Sequence, residues 1–102
     1  MCPDPILELD QLIHAPVRLA ILSLLANLKD ADFVFLRDAT ETTDGNLSTH
    51  ISKLEGAGYV RVSKTFVGKK PQTKCAITAK GRRAFIAYLR QLDAIVQGHK
   101  RP

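Results

Sequence analysis

At 102 residues, 45% hydrophobic and 25% charged, the chain has the size and composition of one folded domain, which excludes a disordered chain. No apolar run approaches the ~18 residues of a membrane span, and the first residues carry acids where a secretion signal needs bases, so a cytoplasmic protein with no membrane partner is expected. The net charge of +5 is unevenly divided: residues 1–58 hold four Lys/Arg against nine Asp/Glu, and residues 59–102 hold eleven against one, a polarity that points to one face prepared for a polyanion.

In chain order, Pro3 and Pro5 precede ILELDQLI, in which Ile6, Leu9 and Ile13 recur at helical spacing and predict a short helix. In HAPVRLAILSLLANLKDAD, Pro16 suits a first helical turn. Leu19, Ile21, Leu22, Leu24, Leu25 and Leu28 are apolar over most of the circumference, as a buried helix requires. The run Phe33 to Leu36 predicts a short strand, followed by a second short helix over about 36–42. Thr43-Asp44-Gly45 breaks the chain, with Asp44 as N-cap of a helix from Asn46 to Gly56 and Gly58 as its left-handed stop. The alternation in YVRVSKTFV predicts a strand, GKKPQT a turn, and KCAIT a returning strand. Thr78 is placed to cap a last helix whose Phe85, Tyr88, Leu89, Leu92, Ile95 and Val96 approach a heptad seam. The fold class is therefore mostly α with a small β-hairpin (α+β). Two short helices joined by a tight turn and followed by a basic hairpin form a DNA-binding plan.

The chemistry lies in DGNLSTHISKLEGAGYVRV. At about 100° per residue, Leu47, Ile51 and Leu54 share one side of the helix, and Asn46, Thr49, Ser52 and Lys53 project from the other, with Ser48 and His50 on the flanks. Short polar groups that form helices poorly are an expensive choice for a face that only meets water. They hydrogen-bond base edges and phosphates and let the helix backbone approach the major groove. His50 has two roles open to it, a phosphate contact or packing at the helix edge. The following turn concentrates Lys64, Lys69 and Lys70, with Gln72 and Thr73 as hydrogen-bonding groups, and would serve as a wing on the backbone or in the minor groove. Lys80, Arg82 and Arg83 oppose the dipole of the last helix, so DNA phosphates, an acidic neighbour or a dimer partner are the candidates to offset them.

Two cysteines, Cys2 and Cys75, are read as unpaired thiols. His14, His50 and His99 have no matched ligand or carboxylate set, and there is no phosphate-binding loop or nucleophile motif. No catalytic residue, metal or cofactor is assigned.

The pieces IHAPVRLAILSLL, TDGNLSTHISKLEGAGYV and GKKPQTKCAITAKGRRAF, in that order, resemble the compact winged helix-turn-helix transcriptional regulators of the MarR and ArsR types. The resemblance implies a single winged-helix domain over residues 1–102, with a helix-turn-helix at about 36–57, a wing at 59–78 and a dimerisation helix at 79–98. It implies a recognition helix from near Asn46 and a homodimer that binds double-stranded DNA. On the residues, the dimer surface would be Ile6, Leu9 and Ile13 with Phe85, Leu89, Leu92, Ile95 and Val96. The cysteine-bearing metal helix of ArsR-type sensors is absent, so metal sensing is not expected, and a small-molecule effector is unknown. The competing functional reading is a winged-helix module that binds another protein without reading DNA.

Overall fold

The structure, a computed structural model, describes residues 5–99, and Cys2 lies outside them. A single turn of 3-10 helix at Pro5–Glu8 leads to α1 (Pro16–Ala26), β1 (Ala31–Asp32), α2 (Phe33–Thr40), α3 (Asp44–Gly56), β2 (Val60–Val67), β3 (Lys70–Ile77) and α4 (Ala79–His99). The strands form one antiparallel sheet in the order β1-β3-β2. A helix-turn-helix followed by a sheet whose long hairpin projects beside it is the winged-helix fold, and the class is α+β.

The predicted first helix is not formed beyond Glu8. Asp10 diverts the backbone: its Oδ1 accepts from the Leu12 amide at 2.9 Å, and its carbonyl accepts from His14 N–H at 2.8 Å. Asp side chains compete with helical hydrogen bonds in just this way. The turn drops Leu9 and Ile13 into the core beneath α1, where Ile21, Leu22 and Leu25 are fully buried.

The expected strand at Phe33–Leu36 is also corrected. Those residues open α2, and the strand is the preceding pair Ala31–Asp32, registered against Cys75 and Lys74. The reason is a cap: Asp32 Oδ1 accepts from Phe35 N–H at 2.7 Å and starts the helix one residue after the strand. Glu41, at φ 53°, ends α2 in the left-handed region. Thr43, not Asp44, caps α3, its Oγ1 accepting from Asn46 N–H at 3.2 Å. Asp44 is instead the first helical residue, and its carboxylate takes Arg37 of α2 at 2.9 Å, bracing the turn between the two helices.

At the far end of α3, Gly58 (φ 80°) donates to Glu55 O and Tyr59 N–H donates to Leu54 O, both at 2.9 Å. This pair of bonds is a Schellman motif, and it turns the chain directly into β2. The turn expected over Gly68–Thr73 contracts to Gly68-Lys69, because Val67 pairs with Lys70 and the residues from Lys70 onward are strand. Gly68 takes the positive φ (65°) that such a two-residue hairpin needs at its first position. Pro71 is tolerated because it stands opposite Phe66, at a position of the ladder whose amide would face away from β2, on the open side of β3 beyond the two residues of β1.

Thr78 caps α4 as expected, accepting from Gly81 N–H at 2.9 Å while its hydroxyl donates to Gly58 O at 2.6 Å. Gly81 permits the approach, since a Cβ there would lie 2.1 Å from Tyr59 O. Phe85 and Tyr88 then close one core shared by α1, α2, α3, the sheet and the first turns of α4.

Candidate nucleic-acid interface

Helix α3 presents two chemically distinct sides. Leu47 and Leu54 are fully buried and Ile51 nearly so, while Asn46, Ser48, Thr49, Ser52 and Lys53 are exposed. The Thr49 hydroxyl donates to Gly45 O at 3.0 Å within its own helix. That bond uses its proton and leaves the hydroxyl oxygen of an exposed side chain free to accept. His50 differs from its neighbours. It is half-buried, and its Nδ1 receives Arg18 Nη1 at 3.1 Å. Arg18 also donates through Nε to Leu12 O at 2.6 Å, so α1 holds α3 through a side chain anchored at both ends. Burial, then Arg18, then Lys53 push the His50 pKa below its usual value and favour the neutral ring that can accept this bond. His50 is thus first a positioning residue for the exposed row beside it.

The wing follows from the end of α3 without a spacer beyond the Ala57–Tyr59 turn. Residues 60–77 contain Arg61, Lys64, Lys69, Lys70 and Lys74 and no acid. Among the described residues, both ion pairs belong to Arg37, so none of these cations nor Lys53 has a carboxylate partner. Like charges held on one ribbon repel unless an anion lies among them. The register sorts the ribbon into two faces: Lys64 with Thr73 and Phe66 with Pro71 on one, Arg61, Ser63, Thr65 and Val67 with Ala76, Lys74, Gln72 and Lys70 on the other. Lys64, Lys69 and Lys70 are exposed and Thr73 is half-buried. Gln72 departs from the expectation of a free wing group. Its Nε2 donates to Asp32 Oδ2 at 3.2 Å, so it ties the wing to the start of α2.

The proposed dimer surface divides. Leu9, Ile13 and Phe85 are corrected: they are 3%, 0% and 7% exposed and are spent on the chain's own core, because the N-terminal turn folds inward and α4 lies on the domain through its first half. Ile6, Leu89 and Val96 are exposed, and Leu92 and Ile95 half-buried. Leu7 and Ile86, not anticipated, extend the same apolar series.

Several supporting residues were missed from the sequence. Arg18 acts on His50, 32 residues along the chain, and Arg37 on Asp44, seven residues on and across the turn. Arg82 donates to Ala26 O at 3.0 Å, and Lys80 Nζ stands 5.9 Å from the Tyr59 ring centre. The C-terminal carbonyls of α1 and an aromatic face therefore receive two of the cations that oppose the α4 dipole. Tyr59 in turn donates to Asp10 Oδ2 at 2.6 Å, a bond that with burial raises its pKa to about 12. Cys75 is fully buried, and burial, with Glu55 adding to it, raises its thiol to about 11, where it stays protonated and unreactive. Among the described residues no group of three or more His, Cys, Asp or Glu is placed to hold a metal, and no helix is long and apolar enough to cross a membrane.

Known proteins share this fold. The chain is 37% identical over 82 residues to an uncharacterized protein of Methanocaldococcus jannaschii, covering 80% of this chain and 89% of that one. Its fold is similar to a transcriptional regulator homologue from Pyrococcus horikoshii OT3, with a TM-score of 0.85, 30% identity, and 92% and 95% of the two chains covered. A MarR-family transcriptional regulator from Silicibacter pomeroyi shares the fold at a TM-score of 0.68, with 17% identity over 93% of this chain and 63% of that one. The family model for the winged helix DNA-binding domain matches residues 17–96, running from α1 through α3 and the hairpin into α4, and the chain belongs to that family.

Proposed function

We propose that the protein is a homodimeric, sequence-specific regulator of transcription acting in the cytoplasm, with α3 in the major groove of double-stranded DNA and the wing on the backbone or in the minor groove. One observation carries the reading: an exposed row of amide, hydroxyl and ammonium groups on a helix anchored by its opposite side, continuous with an unpaired cationic ribbon. Asn46, Ser48 and Thr49 stand at the N-terminal end of α3, the end that enters a major groove first. Asn46 can pair with adenine N6 and N7, Thr49 can accept from a base amino group or touch a thymine methyl, and Lys53 can reach guanine or a phosphate. Ser48 and Ser52 reach phosphates at the groove edges, and Lys64, Lys69, Lys70 and Thr73 follow the backbone.

Residues 36–57 serve as the reading unit, 59–78 as the wing and 79–98 as the dimerisation helix. The apolar series Ile6, Leu7, Ile86, Leu89, Leu92, Ile95 and Val96 is the surface on which a second copy would lie. A two-fold pair sets its reading helices for half-sites ~34 Å apart. The test is selection of bound duplexes from a random pool. A two-fold consensus that Thr49→Ala or Lys53→Ala degrades at one position per half-site is the expected result. Failure to retain any duplex at moderate salt would assign the polar helix to a protein partner instead.

A further inference from the structure

We propose that Phe66 is an apolar wedge that inserts between base pairs where the wing enters the minor groove, locally unstacking and bending the duplex. The proposal rests on the DNA-binding reading above but concerns a different contact from the cations of the wing. Phe66 is 70% exposed, the most exposed of the large apolar side chains of the described residues. It stands one residue before the hairpin end, and its register partner Pro71 has a fixed backbone, so the ring is carried on a stiff support.

The surroundings select the occupant. On its own face of the ribbon, Phe66 neighbours Lys64 and Thr73 across the next register pair, and only Pro71 is apolar. Val67, 62% exposed, is the next apolar side chain and lies on the opposite face, so each face of the hairpin end offers less than the several hundred Å² that a protein-docking surface needs. Its charged setting, five cations in residues 60–77 and no acid, fits a polyanion. A single ring framed by lysines matches a stack of bases framed by phosphates. Proteins that kink DNA use such apolar wedges, chiefly at flexible TA and CA steps.

The experiment uses the full chain and a duplex recovered from the random-pool selection, with the fluorescent base 2-aminopurine placed at successive positions in the flanks. The wild-type protein should brighten one flanking step in each half-site. Phe66→Ala should remove that brightening and bind roughly tenfold more weakly with the same consensus, while Phe66→Leu keeps most of the signal. Because the side chain is exposed, neither change threatens the fold. A wild-type complex with no brightened step, or brightening that persists in Phe66→Ala, overturns the wedge and leaves base reading intact. No duplex binding by the wild type overturns both. Phe66-dependent sedimentation with phosphatidylserine vesicles, alongside duplex binding indifferent to Phe66, assigns the ring to a lipid surface and overturns the wedge.

Discussion

Gly81→Ala tests the joint on which the whole site is mounted. Gly81 lies in the first turn of α4, where a methyl group would sit 2.1 Å from Tyr59 O, 2.8 Å from its carbonyl carbon and 2.9 Å from its Cα. All three atoms are backbone, so no side chain can swing aside, and α4 must retreat by about 1 Å to restore an ordinary contact of ~3.2 Å or more. Retreat strains the bonds that seat the helix: Thr78 N–H to Tyr59 O at 3.0 Å, the Thr78 hydroxyl to Gly58 O at 2.6 Å, and the cap to Gly81 N–H at 2.9 Å. It also loosens Phe85 and Tyr88 in the core. Overpacking costs about 1–3 kcal/mol and removal of a cap about 1 kcal/mol, against a gain of up to ~1 kcal/mol from helix propensity, leaving a net loss of roughly 1–3 kcal/mol. For a domain of this size that lowers the melting temperature by about 4–24 °C. Urea denaturation followed by circular dichroism reads it directly, with Gly98→Ala as the control, since nothing lies within 4 Å of a Cβ there. The control should be neutral or slightly stabilising. A Gly81→Ala protein as stable as its parent would refute the close approach and the seating of α4 derived from it.

Lys69→Ala combined with Lys70→Ala should weaken every duplex alike and lower the salt slope by about one for each phosphate that the two lysines neutralise, as measured by binding titrations over a range of salt. An unchanged slope would remove the wing from the interface. His50 has a pKa depressed in the fold, so the unfolded chain takes up its proton first as pH falls. Its contribution is full above the ordinary histidine value of about 6.5 and is lost as pH drops through the lowered one. The stability of the wild type should therefore decline more steeply below that pH than that of His50→Gln, and parallel declines would contradict the Arg18–His50 contact. Leu89→Glu with Val96→Glu places charge on the exposed stretch of α4 and should yield monomers in analytical ultracentrifugation, with DNA binding weakened because the second half-site is no longer engaged. Unchanged dimers would move the interface elsewhere.

Several boundaries moved because a hydrogen bond outweighed a local pattern. Phe33 to Leu36 has strand-like composition, yet Asp32 caps the segment into helix. Asp44 is as good a cap residue as Thr43, but Arg37 across the turn claims its carboxylate. The spacing of α4 is a continuous seam in the sequence, while the structure buries Phe85 and Tyr88, packs Leu92 and Ile95 partly against the core and leaves Ile86, Leu89 and Val96 exposed, because only one side of the helix lies against the body of the domain. Gln72 reads as one more polar residue of a basic loop until β1 places Asp32 beside it.

Periodicity and punctuation by themselves determined the order of elements, the buried stripe of α3, the left-handed stop at Gly58, the cap at Thr78 and the concentration of cations on the hairpin. These follow from interactions a few residues apart, which a linear pattern records. The tertiary structure alone decided that Arg18 grips His50, that Arg82 closes the end of α1, that Gly81 must lack a side chain, and which apolar residues are consumed by the core. Those depend on groups brought together from distant positions, and a hydrogen bond or a van der Waals contact is set by distance in space, which spacing along the chain does not encode.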